Sequence, residues 1–510
     1  MFAKVNTMGL SGLNAFHVCA EIEASKGIQS FDIVGLGDAA VKESRQRIQS
    51  ALRSSNIHFP VSRITVNLAP ADRRKTGSVH DLAIATALLR VMGFCDDARL
   101  EKAVFIGEAS LSGEIREING VLPMTILAVK MGFKEIYVPA GNAKEASVVD
   151  GIDVYGVNSI SELVLHFSKR SMLLPWEKYV PEAAKSYENL DFADVKGQSN
   201  AKKALEIAAA GGHNVLMIGA PGSGKSMLAK RMPSILPKLT FEESIETTNI
   251  YSVAGLLNKD NPLVTERPFR APHHTVSTAG LSGGGTIPRP GEISLAHNGL
   301  LFLDELAEFS RQSLEILRQP LEDKQVTISR ASGSVTYPCS FMLIAAMNPC
   351  PCGYYGHPTR KCICNERQVR GYLSKISGPM LDRFDLNVEV APVEFSHLSS
   401  KEKEEPSAVI RERVQRVRDI QNNRFKGTPI SCNAGITADI INEVCPLTED
   451  ARELLKNVFE RLGLSARAYD KILKVARTAA DMDGAEFIDK KHITMAVQYR
   501  SMDRKYYNNI

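Results

Sequence analysis

The sequence predicts an α/β chain, with two successive α/β regions followed by a helical one. Three observations carry this. The apolar run in HNVLMIG leads into Gly219, Ala220, Pro221, Gly222, Ser223, Gly224, Lys225 and Ser226, which read as a strand, a glycine-rich turn and a helix start. A second apolar run, Leu300 to Leu303, ends in the acids Asp304 and Glu305. Further on, TEDARELLKNVFERLG and RAYDKILKVARTAADM space their apolar residues as helices do.

Composition bounds the rest. A chain of 510 residues corresponds to roughly three domains. A hydrophobic content of 44% with 24% charged residues is ordinary for a globular chain able to bury real cores. The net charge of +4 is too small to imply a nucleic-acid or membrane partner, so such a partner would need a local patch. The N-terminal MFAKVNTMGLSGLNAF lacks the apolar run of a signal peptide, and no apolar stretch reaches the roughly 18 residues that span a bilayer. The expectation is a cytoplasmic protein with no membrane partner, whose thiols stay reduced.

In chain order, residues 1–168 alternate strand-like and helix-like segments. SRITVNLAP and EIYVPAG read as buried strands, and HDLAIATALLRVMGF as an amphipathic helix. Residues 169–190, polar and proline-containing with the single Trp176, read as a linker. The α/β pattern returns over 191–394, where LLFLDE and SFMLIAAMN are apolar strands and LEDKQVTISRASGSVTYPCS alternates around Gly333 like a β-hairpin. Residues 395–510 open on SSKEKEEPSAVIRERVQRVRDIQNNRF, a charged run that reads as the solvated face of a helix, and stay helical to the end.

The stretch 219–226 fits G-x-x-x-x-G-K-[ST] without exception. Its glycines let backbone N–H groups wrap a phosphate at a helix N-terminus. Lys225 would reach the β- and γ-phosphates of ATP, and Ser226 would ligate Mg²⁺. Asp304 is suited to hold the same Mg²⁺, and Glu305 to polarise the attacking water as general base. Capping of the next helix is the plainer reading for either acid alone. Asn348 ends an apolar strand and would face the γ-phosphate or the lytic water, while Arg383 in GPMLDRFDL and Arg467 in LGLSARAYDKIL are cations in reach of such a site.

Together these residues resemble the AAA+ ATPases, in the group of magnesium-chelatase subunits and MCM helicases. That group carries insertions before the Walker B strand and before the sensor-1 strand. Residues 267–299 fill the first, helix-2 slot and 321–340 the pre-sensor-1 slot. LDRFD is similar to the group's arginine-finger box. The whole chain, with its NPCPCGYYGHP and APHHT stretches, resembles the YifB/ComM family of magnesium-chelatase-like proteins. The resemblance implies a P-loop AAA+ core over 191–394 and a helical lid over 395–510. It also implies a hexameric, Mg²⁺-dependent ATPase, a branch-migration helicase on single-stranded or branched DNA in natural transformation or recombination. Arg383 would then serve the neighbouring subunit's ATP. The alternative is a chelatase-like ATPase that remodels a protein complex.

Residues 1–168 are similar to the Lon protease C-terminal fold, an S5 domain 2-like fold, and to its relative in the RadA recombination protein. VFIGEASLSGEIREINGVLPMTILAVKMGFKEIYVPAG carries the likeness. KTGSVHDLA stands where active Lon proteases have their serine, with Val79 at the nucleophile position and Ser78 one residue off. The partner lysine is also missing from its usual place, which implies a non-proteolytic domain.

DNA motors place short basic hairpins against phosphates. Here Lys324 and Arg330 are the candidates on the pre-sensor hairpin, with Arg267, Arg270, His273, His274 and Arg289 on the earlier insertion. His273 and His274 are as readily packing residues. Cys350, Cys352, Cys362 and Cys364 form two C-x-C pairs, four soft ligands for a tetrahedral Zn²⁺, with His357 able to replace one. Packed reduced thiols and a redox sensor are the alternatives.

Overall fold

Alternating burial builds the first sheet. Along Asn14–Ser25 the side chains of Phe16, Val18, Ala20 and Ile22 point inward while their neighbours stay at the surface. The computed structural model describes residues 1–95, 98–181, 190–285, 288–330, 333–392 and 404–500. They divide into two units, Met1–Ala183 with Phe241–Thr265, and Ala184–Thr240 with Glu266–Ile510.

The first unit holds β1 (Phe2–Ser11), β2 (Asn14–Ser25), β3 (Ser30–Val34), β4 (Arg63–Ala69), β5 (Ala103–Phe105), β6 (Glu108–Ala109), β7 (Ile115–Arg116), β8 (Glu135–Pro139) and β9 (Asp153–Val157). Seven of these form a sheet in the order β3-β4-β2-β1-β5-β8-β9. β1 and β2 are antiparallel, joined at Gly12 with φ 63°, whereas β5, β8 and β9 run parallel. The expected strands at 63–69 and 135–139 are present. The helix Asp81–Val91 is present too, but it is not amphipathic. Every residue from Asp81 to Leu89 is buried, and the buried Asp81 carboxylate is held by Arg47 Nε at 2.8 Å.

The second unit adds β10 (Val215–Ile218), β11 (Phe269–Arg270), β12 (Gly283–Gly284), β13 (Arg289–Pro290), β14 (Leu300–Leu303), β15 (Gln325–Arg330), β16 (Gly333–Pro338), β17 (Met342–Met347) and β18 (Leu386–Glu389). Its main sheet is parallel throughout, in the order β11-β14-β17-β10-β18. β10, β14 and β17 are buried along their whole length, as apolar strands covered on both faces must be. The hairpin of β15 and β16 forms as expected, pairing Gln325 with Pro338 through to Arg330 with Gly333.

Four longer helices, Ser407–Arg424, Glu449–Leu462, Ala466–Met482 and Lys490–Gln498, make the C-terminal region helical. Val414, Val417, Ile472 and Ala476 join Leu205 and Ala208 in one core with the sheet. The charged run does present a solvated face over 407–424, burying Ile410, Val414 and Val417 on the other; its start at 399–403 lies outside the described residues.

Two boundaries differ from the sequence expectation. The helix Phe241–Ala254 and the chain to Thr265, counted above within 191–394, pack with the first unit. Ser252 Oγ donates to Glu145 Oε1 at 2.5 Å, and the same oxygen accepts Leu122 N–H at 2.9 Å. Leu263 is buried beside Leu122 and Val148. The expected linker is also partly ordered against the first unit, since Trp176 N–H donates to Val154 O at 2.7 Å. Residues 182–189 of that linker lie outside the described residues. Among the described residues, no helix is long and apolar enough to cross a membrane.

Candidate nucleotide site

β10 delivers the chain into the loop 219–224 and the helix Lys225–Arg231. Gly222 and Gly224 adopt left-handed φ of 77° and 95°, which a side chain would resist. A Cβ on Gly219 would sit 2.4 Å from Val390 O, so only glycine lets the loop lie against the chain leaving β18.

Lys225 is buried, and its Nζ donates to Gly219 O at 2.8 Å, Ala220 O at 3.0 Å and Asn348 Oδ1 at 3.3 Å. Burial pushes its pKa down, against the pull of Asp304 and Glu305. These bonded partners are all neutral oxygens. A buried ammonium so placed fits an anionic ligand, since burying a cation without a counter-charge is costly. Ser223 Oγ is buried without a hydrogen-bond partner among the described residues. Ser226 Oγ donates to Asp304 Oδ2 at 2.6 Å, which brings a hydroxyl and a carboxylate together as a hard cation such as Mg²⁺ requires. The residues present therefore fit a nucleotide phosphate with its metal.

Glu305 follows β14 in the left-handed region, φ 52° and ψ 48°, an uncommon setting for a non-glycine residue. Its carboxylate lies 3.5 Å from His274 Nδ1. Asn348, directly after β17, accepts from Lys225 Nζ.

Arg383 does not present itself for donation. Its Nη2 pairs with Glu322 Oε1 at 2.5 Å, and only 10% of the side chain is exposed. Arg467 is exposed in the first turn of Ala466–Met482. Lys324, with φ 55° at the start of β15, and Arg330 at its end are both exposed. Arg267 and Arg270 serve the fold instead. Arg267 donates to Pro237 O and Asn298 O, each at 2.7 Å, and Arg270 grips Glu292 with two bonds of 2.6 and 2.7 Å.

The four clustered cysteines converge, with all their sulfurs within 4.8 Å of one another. The Cys350–Cys352, Cys350–Cys362 and Cys352–Cys362 separations are 3.4, 3.7 and 3.6 Å. Tetrahedral Zn–S bonds of about 2.3 Å require sulfurs roughly 3.8 Å apart, so the set fits zinc. His357 is not part of it, because its Nδ1 accepts the N–H groups of Thr359 and Arg360 at 3.2 and 3.0 Å. This loop also abuts the phosphate loop, since a Cβ on Gly353 would lie 2.4 Å from Pro221 Cδ.

In the first unit the stretch around Val79 holds no serine–lysine pair among the described residues. Ser78 Oγ donates to Glu108 Oε2, and the buried Lys75 ammonium donates to Pro70 O.

Sequence reasoning missed His274 beside Glu305 and Glu322 beside Arg383. The first had a signal. β11 and β14 pair in parallel, Arg270 with Leu301, so His274 and Glu305 each stand four residues beyond that pair.

Comparison with known proteins agrees with this architecture. The sequence model of magnesium chelatase, subunit ChlI, matches residues 191–398, that of subunit ChlI of Mg-chelatase residues 20–142, and that of the ChlI C-terminal part residues 404–500. Competence protein ComM of Haemophilus influenzae is 42% identical over 507 residues, 98% of each chain. The uncharacterized protein YifB of Escherichia coli is 40% identical over 503 residues, 98% of this chain and 97% of its own. Lon protease 2 of Bacillus subtilis is 29% identical over 154 residues, 28% of this chain and 26% of its own. The chain therefore belongs to the YifB/ComM family of magnesium-chelatase-like AAA+ ATPases.

Proposed function

We propose that this ATPase works as a hexameric motor on single-stranded or branched DNA, driving branch migration in natural transformation or recombination. The observation that carries the reading is the exposed hairpin β15–β16, which presents Lys324 and Arg330 in the same unit as the phosphate loop. Phosphate backbones are met by such cations without regard to sequence. The relative in Haemophilus named as a competence protein supports the DNA assignment.

ATP with Mg²⁺ supplies the electrophilic γ-phosphoryl group. Lys225 trades its carbonyl partners for phosphate oxygens, Ser226 and Asp304 hold the metal, Glu305 takes the proton of the attacking water, and Asn348 orients it. Arg383 serves a neighbouring subunit once it gives up Glu322, and Arg467 reaches the nucleotide from the helical region. Cys350, Cys352, Cys362 and Cys364 hold a structural Zn²⁺ that stiffens the loop against Pro221. The first unit is a Lon-like, non-proteolytic binding surface.

The test is the ATPase rate with and without a branched DNA junction at low salt. DNA should raise it, and Arg330→Ala should raise the DNA concentration needed for half the effect about tenfold and flatten its salt dependence. A rate indifferent to DNA at low salt refutes the motor-on-DNA reading in favour of protein remodelling.

A further inference from the structure

We propose that a cavity in the first unit, walled by Trp176, Lys134 and Asp153, binds a guanine nucleotide, either free or as an unstacked residue of a single strand. The inference deepens the reading of this unit as a binding surface, and it owes nothing to the hairpin or to ATP hydrolysis.

The cavity, of about 340 Å³, opens where the chain after residue 171 straps across β9, the last strand of the seven-stranded sheet. Leu173 N–H donates to His166 Nδ1 at 2.9 Å, Trp176 N–H to Val154 O at 2.7 Å and Tyr179 N–H to Ser147 O at 3.3 Å. The strap is thus pinned ahead of Trp176, at it and beyond it. Tyr179 Oη also donates to Asn261 Oδ1 at 3.2 Å. On the opposite wall the turn at Gly151, φ 91°, leads past Asp150 and Ile152 into β9 at Asp153. A preformed space of this size is in the range that takes small ligands.

Trp176 is the single tryptophan of the chain and is 46% exposed. Its ring packs at β9, where a Cβ on Gly156 would lie 3.5 Å from Cε3. A half-open indole held by its own backbone is a platform for stacking a flat ring. Lys178 of the strap pairs with Asp150 of the opposite wall. Asp153 N–H donates to Lys134 O at 2.9 Å, which sets those two residues side by side. Neither of their side chains makes an ion pair or a hydrogen bond among the described residues.

The cavity therefore offers one open cation and one open carboxylate beside an indole. A purely anionic ligand would meet Asp153, and a purely cationic one would meet Lys134. A nucleotide satisfies both, with its phosphate at Lys134 and the donors of its base at Asp153. A carboxylate only accepts, and it does so through two oxygens. Guanine matches that pair with N1–H and N2–H on one edge, whereas thymine offers a single donor there.

Trp176 reports on its own site. In the nucleotide-free full chain at low salt, a single strand of roughly 12 nucleotides with guanine at its centre should quench tryptophan emission. It should half-saturate about tenfold below an all-thymine strand of equal length. Guanosine monophosphate is the second probe. Quenching by it at a similar concentration assigns the cavity to the free nucleotide, and quenching by the strand alone assigns it to nucleic acid. Asp153→Asn, at an exposed carboxylate without a bonded partner, should fold as the parent does and lose the preference for guanine. Lys134→Gln should weaken both strands and lower the salt slope by about one. With a labelled strand, Trp176→Phe should bind within a few-fold of the parent and Trp176→Ala at least about tenfold more weakly. Emission unchanged by the guanine strand and by guanosine monophosphate up to ~1 mM would overturn the proposal. So would guanine and thymine strands that bind alike, or a guanine preference that survives Asp153→Asn. An ATPase rate indifferent to DNA leaves these readings standing, so the motor reading and this one fail separately.

Discussion

Asp385→Asn is expected to be among the most damaging single changes in the second unit. Asp385 lies just before β18, two residues after Arg383, and its side chain is only 12% exposed. Lys471 Nζ stands 3.1 Å from Oδ1, Asn214 N–H donates to Oδ2 at 2.9 Å, and His213 Nδ1 lies 3.8 Å away. Burial opposes ionisation of this carboxyl, but Lys471, His213 and the Asn214 N–H together hold it well below the usual carboxylate range. The amide keeps the shape and loses the charge, leaving the Lys471 ammonium with Phe384 O as its remaining partner at 2.9 Å. Orphaning one member of a buried pair costs about 3–5 kcal/mol.

Urea unfolding followed by far-ultraviolet circular dichroism measures it. With a slope of about 3 kcal/mol per molar urea, the transition of this unit should fall by at least ~1 M. Trp176, which lies in the other unit, supplies a fluorescence control that should not move. The double variant with Lys471→Met should cost less than the two single changes summed. The folded carboxyl titrates below its unfolded value, so its contribution is fully present above about pH 4 and is lost as pH falls further. The gap between parent and variant should therefore hold from neutral pH down to about 5 and narrow progressively as pH falls below about 4. A midpoint shift under about 0.3 M at pH 7 would refute the reasoning.

Glu305→Gln should still bind ATP, measured by calorimetry, while turnover falls at least ~100-fold; turnover within a few-fold of the parent would remove Glu305 as general base. Freshly reduced protein should carry one zinc per chain by elemental analysis, and Cys350→Ser and Cys362→Ser should each lose it along with thermal stability. A metal-free preparation that melts at the same temperature as a zinc-supplemented one would leave the cluster as packed thiols.

The phosphate loop and the acids after β14 were legible because their chemistry is local. Contiguous residues with a fixed spacing dictate both the turn and the ligand it cradles. The cysteine cluster was legible for the same reason, whereas His357 was not, because its backbone partners Thr359 and Arg360 depend on how the loop closes. Arg383 shows the other limit. Its motif gives an identity, but Glu322 lies 61 residues upstream in sequence and is brought beside it by tertiary packing alone. The helix Asp81–Val91 misled for a related reason, since an amphipathic reading assumes one wet face and Asp81 is made tolerable inside only by Arg47. The segment 241–265 follows the phosphate loop in sequence, and sequence order alone does not show that it packs with the first unit.

That segment has a consequence for taking the protein apart. The chain passes between its two units at 240–241 and again at 265–266, besides the stretch near 183. Cutting once between residues 182 and 189 would leave parts of both units joined through the backbone of the downstream fragment. A fragment beginning at residue 190 would carry the helix Phe241–Ala254 without Glu145 to receive Ser252 and without Leu122 to cover Leu263. An ATPase fragment that behaves as a clean half must therefore replace 241–265 with a short turn, while the complementary half must gain that segment by fusion to residues 1–183.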